Sequence, residues 1–214
     1  MRVLGIDPGS RLTGWGVVEA RGSDFRHVAS GTIALSIDET LDLRLARLHA
    51  ECVRLVGAWG PAAVVLERAF VARNVQSAFR LGEARGAVLA AAGATGTALH
   101  EYAPATVKLA TVGHGQADKR AVGRGIALRL GLAAPPPPDA ADALALALCH
   151  LQQASLASRV AAAVGADHAR AAGDARASPT RVASPVGPVA DAVRAEARER
   201  EGREGRSASV RRLV

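Results

Sequence analysis

The chain has 214 residues, 49% of them hydrophobic, so it can bury a core. Only 3% are aromatic, so that core has to be built from Ala, Leu and Val. The formal net charge of +7 and the sequence pI of about 10.8 favour polyanionic partners, nucleic acid or an anionic membrane surface. No apolar run reaches ~18 residues without interruption, which argues against a transmembrane helix. The N-terminal "MRVLGID" reads as a strand and lacks the layout of a signal peptide. Cys52 and Cys149 have no metal-type spacing and read as reduced, buried thiols of a cytoplasmic protein.

In chain order, "RVLGID" is a short apolar strand ending in Asp7, and "PGSRLTG" is a turn. "WGVVEA" and "HVASGTIAL" follow as strands, and short turns between the three suggest an antiparallel meander. "SIDE" reads as a capping box of Ser36 with Glu39, opening a helix with Leu41, Leu45, Leu48, Cys52 and Leu55 at helical spacing. "AAVVLE" is a fourth strand, apolar throughout and expected to be buried on both faces, and it too ends in a carboxylate, Glu67. A helix over 74–92, a strand "ALHEY", helices over 104–112 and 118–130, and a last helix starting near Asp139 complete the pattern. The expected architecture is α/β, a mixed five-stranded sheet flanked by helices. If strands one and four are parallel neighbours, Asp7 and Glu67 meet at the sheet edge where open α/β sheets bind ligands.

The domain is expected over residues 1–155. Residues 156–214, rich in Ala, Arg, Gly, Pro and Ser, read as a basic, mostly disordered tail with a transient helix from Val189 to Glu201. Through His150 there are 16 Lys and Arg against 13 acids, and from Leu151 onward 11 Arg against 7 acids. The tail is thus the more basic piece per residue. Among 27 basic residues only Lys108 and Lys119 are lysines. Either chance explains them, or they mark places where a compact ammonium matters more than a planar fork.

The stretch "PPPPDAADALALAL" places Asp139 and Asp142 at the start of a helix that is apolar on nearly every face. One reading is capping, since acids in a first turn suit the exposed N–H groups and the helix dipole. The other starts from their spacing of three, which puts both on one helix face against protein. There they repel each other and lose hydration unless a cation joins them. With Asp7 and Glu67 they make four acids at element ends in apolar settings. An oxygen-only cluster of this kind selects hard cations, Mg2+ or Mn2+, and two such ions can carry phosphodiester hydrolysis without a protein nucleophile.

Four blocks, "GIDPGSRLTGWGVVE", "LERAFVARNVQSAFRLGEARG", "EYAPATVKLATVGHGQADKRAV" and "PPDAADALALAL", closely resemble, in the same order over about residues 1–150, the RuvC family of Holliday-junction resolvases, which are RNase H-like nucleases. The resemblance implies that Asp7, Glu67, Asp139 and Asp142 are catalytic metal-binding carboxylates. It implies two Mg2+ per active site, with Mn2+ as a substitute. Lys108 and Lys119 match basic residues near the scissile phosphate, with Lys119 a catalytic residue as well as a DNA contact. Phe70 matches an aromatic that contacts the junction, and Arg73 falls in the same DNA-facing loop. Family members are homodimers that nick two opposed strands of a four-way junction during recombination and repair. They work with a RuvA–RuvB branch-migration complex.

Each of these residues has a plainer reading. Phe70 can stack on an unpaired base or pack in the core. Arg73 and Arg80 can contact phosphates or lie on a solvated helix face. Lys119 can stabilise a developing oxyanion or merely start a helix. His114 in "GHG" stays unassigned. Gly123 and Gly125 stand inside a helix where the family usually has larger residues, at ~1 kcal/mol each relative to alanine. That helix is either frayed or packed closely on a neighbour. Actin-like ATPases and sugar kinases share a "DPGS"-like loop, but they need a duplicated domain and a second loop, neither of which is present. A non-catalytic nucleic-acid binding module accounts for the charge but not the four carboxylates. An RNase H-like nuclease with another substrate is the remaining alternative.

Overall fold

A computed structural model describes residues 1–68 and 75–174 of the chain. Ten elements follow one another: β1 (Arg2–Asp7), β2 (Leu12–Arg21), β3 (Asp24–Ala34), α1 (Leu41–Trp59), β4 (Ala63–Glu67), α2 (Val75–Ala94), β5 (Ala98–Tyr102), α3 (Pro104–Val112), α4 (Lys119–Leu130) and α5 (Pro138–Asp174). The strands form one sheet in the order β3-β2-β1-β4-β5. β1, β2 and β3 pair antiparallel as the expected meander, whereas β1 with β4 and β4 with β5 are parallel.

Strand alternation divides the apolar residues between two cores. Val3, Val18 and Val65 join residues of α3, α4 and α5 on one side. Leu4, Ile6, Val17, Val64 and Leu66 join α1 and α2 on the other. A sheet buried on both faces explains the unbroken apolar run of β4, whose Ala63, Val64, Val65 and Leu66 are all buried. Both cysteines are free and buried. Among the described residues no helix is long and apolar enough to cross a membrane.

The capping box at "SIDE" does not form. Ser36 Oγ accepts the backbone N–H of Asp38 at 3.2 Å, closing a local turn, and Glu39 pairs with Arg47 at 2.6 Å. The helix starts later, after Thr40, whose backbone is still extended. Leu41, expected on the buried face, is 45% exposed at this first turn, while Leu48, Cys52 and Leu55 carry the packing. In α4, Gly125 resolves toward close packing, whereas a Cβ at Gly123 would meet only Pro135 Cβ at 3.7 Å. A Cβ at Gly125 would come within 2.5 Å of Val112 Cγ1 on α3, so the residue admits a near approach of two helices.

Met1–Val164 forms one compact unit. The helix expected to give way to tail near residue 155 runs on to Asp174. Its alanine-rich sequence there has the strongest intrinsic helix preference. The helix expected over Val189–Glu201 lies outside the described residues.

Candidate active site

Alternation along β1 puts Val3, Gly5 and Asp7 on the α5 side of the sheet, and along β4 it puts Val65 and Glu67 there too. The parallel register sets Ile6 beside Leu66, so Asp7 and Glu67 leave adjacent strand ends on the same face. What brings α5 down to them is the absence of side chains. A Cβ at Gly5 would overlap the Ala143 carbonyl, one at Gly14 would overlap the Asp139 carbonyl, and one at Gly16 would press on Leu144. Helix backbone therefore lies directly on strand backbone, closer than any alanine would allow. Pro138 starts the helix at its first position, with the Ala141 N–H donating to the Pro137 carbonyl at 2.8 Å. Asp139 and Asp142 occupy its opening residues above the end of β1. The turn after Asp7 is pinned by Thr13, fully buried, whose Oγ1 accepts the Gly9 N–H at 3.3 Å and faces the Gly9 carbonyl at 3.4 Å.

Asp7, Glu67 and Asp142 line one cleft of about 290 Å3 together with Lys108 and Lys119. Lys119 arrives at the start of α4, where Asp118 caps the helix by accepting the Ala121 N–H at 2.6 Å. Lys108 comes from α3, which Pro104 opens and Gly113 closes. The Lys119 Nζ donates to Asp142 Oδ2 at 3.1 Å. The lysine is 74% exposed, so this pair is worth little by itself and is readily exchanged.

The electrostatics are those of carboxylates held too close and too dry. Burial, and then the charges of Asp142 and Glu67, push the Asp7 carboxyl up to about 7, against a partial offset from Lys119. Asp139 adds to the same push, so it lies within electrostatic reach although it does not line the cleft. Burial and then Asp142 raise Glu67, while Lys108, Lys119 and Arg85 oppose the rise. The hydrogen bond to Asp142 raises Lys119. Such a site discharges its strain by taking up a proton or a cation. Its donors are all oxygens, which suits a hard dication. Among the described residues, no three His, Cys, Asp or Glu side chains converge tightly enough, as placed, to hold one ion. The acids ring the cleft with the Lys119 ammonium among them, and in charge and donor type the set fits a divalent metal.

The other expected contacts are dispersed. Phe70 and Arg73 lie outside the described residues. Arg80 is exposed on α2 and lines a separate cleft of about 440 Å3 with Arg11, Arg44 and Phe79. His114 is exposed in the turn between α3 and α4. Sequence reasoning passed over Arg85, inside the "LGEARG" stretch, which contacts the end of β4 and the side chain of Glu101. It also passed over Thr13. Neither carries a signal in an isolated sequence: Arg85 acts on the main chain of a segment 18 positions away, and Thr13, though only four residues from Gly9, is one polar residue among many in a turn.

Residues 3–150 match the family model described as crossover junction endodeoxyribonuclease RuvC. Among curated relatives, the crossover junction endodeoxyribonuclease RuvC of Alkalilimnicola ehrlichii is 49% identical over 159 residues, covering 74% of this chain and 96% of the relative. That of Sorangium cellulosum is 45% identical over 162 residues, 76% of this chain and 90% of the relative. Among solved structures, Thermus thermophilus RuvC superposes with a TM-score of 0.67 at 38% identity, over 73% of this chain and 97% of its own. The same protein in complex with a Holliday junction substrate gives 0.67 at 35%, over 73% and 96%. The strand order, the two cores and the acids at the ends of β1 and β4 thus sit in a chain that belongs to the RuvC family of crossover junction endodeoxyribonucleases, with their RNase H-like fold.

Proposed function

We propose that this protein resolves four-way DNA junctions by metal-dependent nicking of two opposed strands, and that Asp7, Glu67, Asp139 and Asp142 hold the metal. The observation that carries the reading is the convergence of Asp7, Glu67 and Asp142 with two lysines round one cleft, in a chain of a metal-dependent nuclease family. Held by Asp7, Glu67, Asp139 and Asp142, a pair of Mg2+ ions would supply an activated water and stabilisation of the leaving oxygen. Mn2+ shares the oxygen preference and serves as a substitute. The chain's own groups do the rest. The carboxylates bind and orient. Lys119, tethered to Asp142 only by an exposed contact, reaches the scissile phosphate and offsets the charge that develops on it. Lys108 adds positive charge to the same cleft from α3. Phe70, Arg73 and Arg80 hold the junction arms; the arginines meet phosphates, which position the substrate without reading its sequence.

A four-way junction with two equivalent strands suits a two-fold homodimer with one site per subunit. α2 offers the surface. Val75, Phe79, Gly82, Gly86 and Leu89 recur at alternating steps of four and three, as along a helix-pairing seam. Val75 and Phe79 are 66% and 65% exposed, and among the described residues nothing lies within 4 Å of a Cβ at Gly82 or Gly86. The protein acts in the cytoplasm, on junctions delivered by a RuvA–RuvB branch-migration complex.

The test is cleavage of a labelled four-way junction beside linear duplex and RNA–DNA hybrid, with and without Mg2+. Paired symmetric nicks on the junction alone, only with metal, are expected. Binding without cutting would make the chain a binding module. Cutting of the hybrid instead would keep the fold and the metals but change the substrate.

A further inference from the structure

The guanidinium of Arg85 touches two strand ends at once. From α2, Nη1 donates to the main-chain carbonyl of Glu67 at the end of β4, and Nη2 donates to Glu101 Oε1 on β5. Its side chain is only 12% exposed, so these contacts are made largely away from water, where a charged donor is strong and costly to strand. Arg85 also lines a recess of about 160 Å3 that shares Asp7 and Glu67 with the catalytic cleft. The Glu67 residue is otherwise held by its place beside Tyr102 in the β4–β5 ladder, with the next N–H, of Arg68, donating to the Tyr102 carbonyl at 2.8 Å.

From this geometry we propose that Arg85 is a positioning residue for the metal site: it fixes the backbone from which Glu67 projects and ties that point to α2. The inference rests on Glu67 being a metal ligand, as proposed above. Arg85 touches neither substrate nor metal. Its planar fork is what the site requires, because one rigid group spans a carbonyl and a carboxylate on two strands. A lysine keeps the charge but lacks the planar fork whose two nitrogens meet the two acceptors in a fixed geometry. Glu101 is the second half of the device, holding the fork in the orientation that reaches Glu67.

The experiment compares wild-type protein with Arg85→Met, Arg85→Lys and Glu101→Gln. Two quantities are read: the Mg2+ concentration that half-saturates the metal-induced rise in Tm without DNA, and the Mg2+ midpoint of single-turnover junction cleavage. Groups that orient metal ligands typically contribute 10–100-fold to metal affinity or activity, so Arg85→Met is expected to raise both midpoints by at least ~10-fold. Junction affinity without metal should stay within ~2-fold of wild type, since the arginine is not a DNA contact. Arg85→Lys and Glu101→Gln should fall between. A purely structural arginine would lower Tm and the fraction of active protein but leave the midpoints alone, and that result overturns the proposal. If Arg85→Met does not fold, Arg85→Lys decides: a wild-type midpoint in both assays overturns it. A wild-type protein that shows no metal-induced Tm shift would instead sink the metal reading itself.

Discussion

The two faces of the sheet use glycine in opposite ways. On the α5 face, Gly5 and Gly14 lie under helix backbone and Gly16 under the Leu144 side chain, each with an atom nearer than 3 Å to where a Cβ would stand. On the α2 side, Gly82 and Gly86 look into open space between the exposed side chains of Val75, Phe79 and Leu89. In the first case the close approach has been made within the chain, and it delivers Asp139 and Asp142 to Asp7 and Glu67. In the second the same small residues leave a seam with nothing yet in it. A glycine therefore reports only that two surfaces can approach. Whether the second surface belongs to the same chain is decided by what the fold places opposite.

The largest expected effect lies where the approach has been completed. Asp7→Asn keeps the shape of the site and removes one of the carboxylates that line it. Cleavage should fall by a factor on the order of 10²–10³, while junction binding by fluorescence anisotropy stays near wild type. Normal cutting by this variant would end the metal reading of the α5 face.

The glycines test the comparison itself. Gly14→Ala forces strand and helix backbones apart and should cost at least about 1–3 kcal/mol, read as a fall in Tm, with loss of cleavage as Asp139 moves. Gly86→Ala meets no neighbour in the monomer and removes a poor helix former, so it should add about 1 kcal/mol to monomer stability. At the same time it should weaken self-association by analytical ultracentrifugation if the seam is where two copies meet. Equal destabilisation by both would erase the contrast between the faces.

Lys119→Ala is expected to slow single-turnover cleavage by ~10–100-fold with little change in junction affinity, because the lysine acts on charge that develops during reaction. An unchanged rate would return it to a solvated helix start.

The titration of Asp7 is a subtler probe of the α5 face. With the folded carboxyl near 7 and the ordinary value at 3.8, the folded state holds an extra proton between those limits. Metal-free stability attributable to Asp7 is therefore highest below pH 3.8, falls as pH rises through the window, and stays reduced above about 7. The Tm of Asp7→Asn minus that of wild type, without metal, should grow across this window and then level off, and Mg2+ should shrink it. A flat difference would mean that neither burial nor the neighbouring acids raise this carboxyl.

The smallest effect is expected from the C-terminal residues. Residues 175–214 carry nine arginines against five acids. Truncation after Asp174 should weaken non-specific DNA binding and flatten its dependence on salt. An identical slope would show that this segment does not meet DNA.

Much of this was legible in the residues themselves. The meander, the doubly buried β4, the helices from α2 to α5 and the two strand-end acids follow from periodicity, and periodicity is a local property of the chain. The capping box was misread because Ser-x-x-Glu marks a helix start only when nothing nearby competes. Here Ser36 closed its own turn on Asp38 and Glu39 went to Arg47. Four carboxylates at element ends pointed to a metal, since crowded acids in an apolar setting call for a cation or a proton, and the matching blocks supplied the family. What no local pattern carries is which acids share a cleft, that Lys119 bonds to Asp142 across 23 positions, and that Arg85 reaches back to Glu67 across 18. By itself the sequence determined the chemical types and their places along each element, because these depend on neighbours within a few residues. Only the tertiary structure decided their meeting: the parallel register of β1 with β4 and the glycine-permitted descent of α5 are long-range contacts, set by the packing of the whole sheet.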